Sequence, residues 1–186
     1  MQFPRITFNA PVTLSFFILA TAAMLTATVF PQTLAVMAAR GPLELSFNYV
    51  LGVFAYPLAH ADWMHFIGNF SIILLIGPIL EEKYSSRFLL LAYLLTSVAI
   101  GFFHTLVFQS GIIGASGLVF FSIMLVSMTN FRKGEIPATL IIVALLYLGK
   151  EVAGLFQEDQ VSQFGHILGG VCGTLVGYYV GWAERR

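Results

Sequence analysis

Ser116 stands in Gly114-Ala115-Ser116-Gly117, inside a long apolar run without charge. Burial alone does not account for a hydroxyl among such small residues. Gly114 can take backbone angles closed to other residues. The two glycines also leave the hydroxyl uncrowded. A helix that begins at Ala115 or Ser116 sets its free N–H groups and positive dipole end beside it, which suits an oxyanion. A serine needs a base to become a nucleophile, and imidazole is the usual one. His166 opens another apolar run. His65 and Asn69 are four residues apart and share one face of a helix, with His60 just ahead of them. A nucleophile, a base and polar donors are the parts of acyl transfer.

Each of these residues also has a structural reading. The small residues around Ser116 could be a packing patch between membrane helices. His166 could be a hydrogen-bonded packing residue, and His65 with Asn69 could bond between helices. His60 and Asp62 read as interfacial. His104 has no evident partner in the sequence and reads as structural. A shared location decides between these readings, and that depends on the elements carrying the residues.

The composition is that of an integral membrane protein. Hydrophobic residues make up 58% and charged residues 10%, against about 25% charged in soluble domains. Mean hydropathy is +0.87. The 186 residues form one domain without a low-complexity linker. Net charge is zero and no basic stripe exists, which argues against nucleic acid as a partner. The single cysteine, Cys172, excludes an intramolecular disulfide.

Six hydrophobic segments can be drawn. The first runs from Val12 to Phe30 and reads as a retained helix, not a signal peptide. A mixed segment, 32–61, is too broken to span and reads as an interfacial loop with some helix. The second span runs from Trp63 to Leu80. The third starts near Phe88 and the fourth ends near Phe131, with no Asp, Glu, Lys or Arg between those residues. Two spans of about 20 residues each nearly fill that block. The turn from Gln109 to Gly114 is therefore short, apolar and expected below the membrane surface. Irregular backbone at that depth requires protein or a wet cavity around it. The fifth span covers Ile136 to Leu148 and the sixth Phe164 to Trp182.

Six spans put both termini on one side, together with Arg5, Lys83, Arg87, Arg132, Lys133, Arg185 and Arg186. The other side holds Arg40 and Lys150. The positive-inside rule makes the first side cytoplasmic. Ser116, His65, Asn69 and His166 then all fall in the outer leaflet, with His166 expected in the first turn of its helix. On that last helix Gly165, Gly169, Gly173, Gly177 and Gly181 recur every four residues. Such a strip lets another helix approach closely. Close packing on the helix of Ser116 would bring the imidazole towards the hydroxyl. Metal is the competing use of the histidines. His60 and His65 are five apart, no cysteine or carboxylate pair completes a zinc site, and H-E-x-x-H is absent.

His60, His65-x-x-x-Asn69, Gly114-Ala115-Ser116-Gly117 and Gly165-His166 with Gly169 and Gly173 together resemble the rhomboid family of intramembrane serine proteases. Gly77 and Glu81 also match. The resemblance covers a core of about 56–182. It implies an all-α membrane protein, a six-helix rhomboid-like bundle. It implies Ser116 as nucleophile and His166 as base, without an acidic third member. His65, Asn69 and the Ser116 N–H would stabilise the oxyanion, with Gly114 shaping the hole. Substrates would be single-span membrane proteins, with no cofactor. The compact core suits a bacterial plasma membrane. Three departures stand out: no Trp-Arg pair in 48–52, Phe120 where some members have tyrosine, and Ser85 in place of a common glycine. A non-enzymatic relative that escorts membrane clients is the alternative. A transporter or channel would need charges within spans or a broken-helix repeat, and neither is evident.

Overall fold

The computed structural model describes residues 5–43, 46–129, 135–149 and 160–183. The regular structure is helical: α1 (Pro11–Val29), α2 (Gln32–Met37), α3 (Phe47–Ala55), a 3₁₀ turn (Tyr56–Leu58), α4 (Trp63–Tyr84), α5 (Ser86–Val107), α6 (Ser116–Ser127), α7 (Ala138–Val143) and α8 (Gln160–Ala183). Five residues, Ala144–Leu148, continue α7 as a π-helix. Among the described residues, α1, α4 and α5 are long and apolar enough to cross a membrane.

Local chemistry sets the helix ends. Pro11 suits a first turn because its missing N–H would have had no intrahelical partner. The next amides, Val12 and Thr13, donate to the Glu81 carboxylate at 3.2 and 2.8 Å, and the Thr13 hydroxyl donates to it at 2.7 Å. Glu81 is thus a buried side chain on α4 that caps α1. That explains why α4 runs on to Tyr84 instead of ending near Leu80. Asp62 is not merely interfacial: its carboxylate accepts from the His65 N–H at 2.8 Å and caps the start of α4. Ser85 links α4 to α5 at φ 75° and ψ 152°, a backbone region that favours glycine. Its hydroxyl nevertheless caps α5 by accepting from the Phe88 N–H.

The core lies between α1, α4 and α6, where Phe66, Phe70 and Ile73 meet Met24, Val119 and Ile123. A second cluster joins α5 and α6 through Leu89, Tyr93, Leu118 and Phe121. Tyr93 donates to the Ser122 hydroxyl at 2.7 Å, which donates in turn to the Leu118 carbonyl. The most extensive helix contact is between α6 and α8. A Cβ on Gly169 would overlap the Gly117 carbonyl, and one on Gly173 would overlap that of Phe121. Two backbones therefore touch, as the four-residue glycine strip predicts.

The mixed segment 32–61 resolves into α2, α3 and the 3₁₀ turn. Helix α8 begins at Gln160, not Phe164, so His166 lies in its second turn. The residues 130–134, where the fourth segment was expected to end, lie outside the described residues. So do Arg132, Lys133, Lys150, Arg185 and Arg186 from the charge argument.

Candidate active site

The chain enters α6 through a turn with little freedom. Gly114 has φ 110°, and a Cβ there would come within 2.6 Å of His65 Cε1. Glycine is required on both counts. The Gly114 N–H donates to the Tyr56 carbonyl at 2.9 Å. Ala115 is the residue preceding the helix, and its carbonyl accepts from the Leu118 and Val119 amides. Ser116 and Gly117 thus occupy the first turn, where N–H groups have no carbonyl behind them in the helix.

His65, Asn69, Ser116 and His166 line one cavity of about 540 Å³, together with Gly68, Phe120, Leu146 and Tyr147. Helix α4 supplies the first two, α6 the serine, and α8 the histidine. The glycine contact of α8 with α6 sets the depth at which His166 enters. Its imidazole lies flat on Phe120, with centroids 4.5 Å apart and planes 7° apart. Phe120 therefore stacks as the tyrosine-to-phenylalanine departure allows. Asn69 is buried, and its Nδ2 donor has no acceptor among the described residues. A buried donor left unmade is costly, so this wall of the cavity favours an acceptor oxygen.

Two further histidines do not line the cavity. His60 is fully buried. Its Nδ1 contacts the Leu58 carbonyl at 3.2 Å, and its Nε2 accepts from the Ala115 N–H at 3.4 Å. Burial, aided by His65, pushes its pKa down to about 4, so the ring is neutral near pH 7. The small neighbour Ala59, itself buried, was the available signal for such close packing. His104 has a partner after all: its Nε2 donates to the Ser110 carbonyl at 2.8 Å. Tyr147 and Leu146 could not be foreseen as lining residues, because nothing in an apolar helix marks which side meets a cavity. Among the described residues, no group of three or more His, Cys, Asp or Glu is placed to hold a metal ion.

With this geometry in view, the sequence matches the Rhomboid domain over residues 48–183. The chain belongs to the rhomboid family. It is similar to uncharacterised proteins of Mycobacterium bovis and Mycobacterium tuberculosis, 30% identical over 146 residues. That covers 73% of this chain and 61% of theirs. The rhomboid domain and its apolar helices mark an integral membrane protein.

Proposed function

We propose that this rhomboid is an intramembrane serine endopeptidase acting on single-span membrane proteins. The observation that carries the reading is the convergence of Ser116, His166, His65 and Asn69 on one cavity. Ser116 is the nucleophile and His166 the general base. The imidazole accepts the hydroxyl proton as oxygen attacks the scissile carbonyl. The tetrahedral oxyanion receives hydrogen bonds from His65, Asn69 Nδ2 and the Ser116 N–H. Gly114 keeps that space open by lacking a side chain. On collapse, His166 gives its proton to the leaving amine and an acyl-enzyme remains. The same base then takes a proton from water, and hydrolysis frees Ser116.

In this reading six helices cross the membrane: α1, α4, α5, α6, α7 with its π continuation, and α8. Both termini face the cytoplasm of a bacterial cell, and the cavity opens towards the opposite face. The short α6 supports the depth. Its 12 residues reach about 18 Å, less than the ~30 Å hydrocarbon core. The peptide groups of a substrate helix are bonded internally, so the scissile segment unwinds before attack. Small or helix-breaking residues at the cut lower that cost.

Purified protein in lipid vesicles with a panel of single-span substrates tests the proposal. Wild type cleaves and is labelled by a fluorophosphonate. Ser116→Ala and His166→Ala each lower cleavage by at least ~10³-fold and abolish labelling, with unchanged thermal unfolding. Full cleavage by Ser116→Ala overturns the assignment. Binding of membrane clients without labelling of the wild type favours the non-enzymatic escort instead.

A further inference from the structure

We infer that His60 is a positioning residue for the oxyanion-binding turn, holding the Gly114–Ala115 peptide ahead of Ser116. The inference rests on the protease reading and adds a residue to it. His60 is fully buried and does not line the cavity. It acts on the backbone. Both amides leading into Ser116 are anchored on the chain between α3 and α4. The Gly114 N–H meets the Tyr56 carbonyl at 2.9 Å, and the Ala115 N–H meets His60 Nε2 at 3.4 Å.

This anchoring matters because of what stands at 114. A peptide unit is rigid, so its orientation is set by the dihedrals on either side. Glycine resists rotation of those dihedrals least of all residues. At φ 110° the turn has little intrinsic preference for the angle it needs. Rotation of the Gly114–Ala115 peptide carries the start of α6 with it, and hence the Ser116 N–H. An acceptor fixed in space supplies the restraint that Gly114 cannot. His60 is itself fixed: its ring packs against Phe66 and Phe70, and its other nitrogen is turned to the Leu58 carbonyl. A carbonyl can only accept, so the proton sits on Nδ1 and Nε2 is left as the acceptor. The same ring lies edge-on to His65 at 5.0 Å, so one side chain steadies two contributors to the hole.

Two substitutions separate positioning from packing. His60→Leu keeps bulk and removes the acceptor. We expect kcat to fall on the order of 100-fold, with KM within about twofold and thermal unfolding near wild type. His60→Gln places a carbonyl oxygen near the lost nitrogen and restores most of kcat. Wild-type kcat in folded His60→Leu overturns the inference, as does equal loss of kcat in both variants. A direct readout needs no variant. ¹⁵N NMR of the wild type should show His60 protonated at Nδ1, with a hydrogen-bond coupling from Nε2 to the Ala115 amide. Protonation at Nε2 overturns the inference even if neither variant folds. Absence of fluorophosphonate labelling in the wild type is the different failure, that of the protease reading itself.

Discussion

The cavity has two walls built on opposite principles. On one, α8 lies on α6 with glycine against backbone, at Gly169 on Gly117 and Gly173 on Phe121. On the other, Leu146 and Tyr147 project from the short helix that starts at Ala138. Leu146 is 65% and Tyr147 40% exposed, and Tyr147 reaches Phe120 only edge-on at 5.9 Å. Backbone contact tolerates almost no change in spacing, because nothing flexible stands between the chains. An exposed side chain in edge contact can turn aside at little cost. The residues assigned to chemistry sit on the first wall and on α4 beside it. The wall that borders them most loosely carries none of them. The spacing of Ser116 and His166 thus rests on the tight wall, apart from the exposed side chains of the other.

The contrast is broken most severely at the tight wall. Gly169→Val drives a branched side chain into the Gly117 carbonyl. It should destabilise the protein by about 3 kcal/mol and abolish cleavage, as measured by thermal unfolding in detergent and a substrate assay. Retained stability would mean that the two helices can separate freely. A smaller and purely kinetic effect belongs to the neighbouring α4. Asn69→Ala removes one donor and should raise the barrier by about 3 kcal/mol through kcat, with unfolding unaffected. A rise in KM alone would place Asn69 in substrate binding instead. The least effect is expected at the loose wall. Tyr147→Ala should shift stability by less than about 1 kcal/mol and kcat by less than about threefold. A loss comparable to that of Gly169→Val would erase the distinction between the walls.

Much of the site was legible before any coordinates. Glycines every four residues specify close helix contact whatever the fold, and His65 with Asn69 share a face by helical geometry. Gly114 read as a backbone necessity and has a positive φ. What was not legible has a common cause. His60 and Asp62 were read as interfacial because both lie in a polar stretch at the mouth of a span. One is buried under the turn before Ser116, and the other caps α4. Glu81 lies in the last turn of α4, and what the sequence does not show is that its carboxylate caps α1, 68 positions away. A polar residue's partner is a long-range fact, and hydropathy along the chain carries no trace of it.

The sequence by itself determined a membrane-embedded helical protein of the rhomboid family, with its glycine strip and the identities of its nucleophile and base candidates. These follow from residue type and local period, which need no knowledge of neighbours. Only the tertiary structure decided that four of those residues line one cavity, that Phe120 lies flat on His166, and that His60 grips the turn beneath Ser116. Those relations join residues as far apart along the chain as His65 and His166, and only packing brings such residues together.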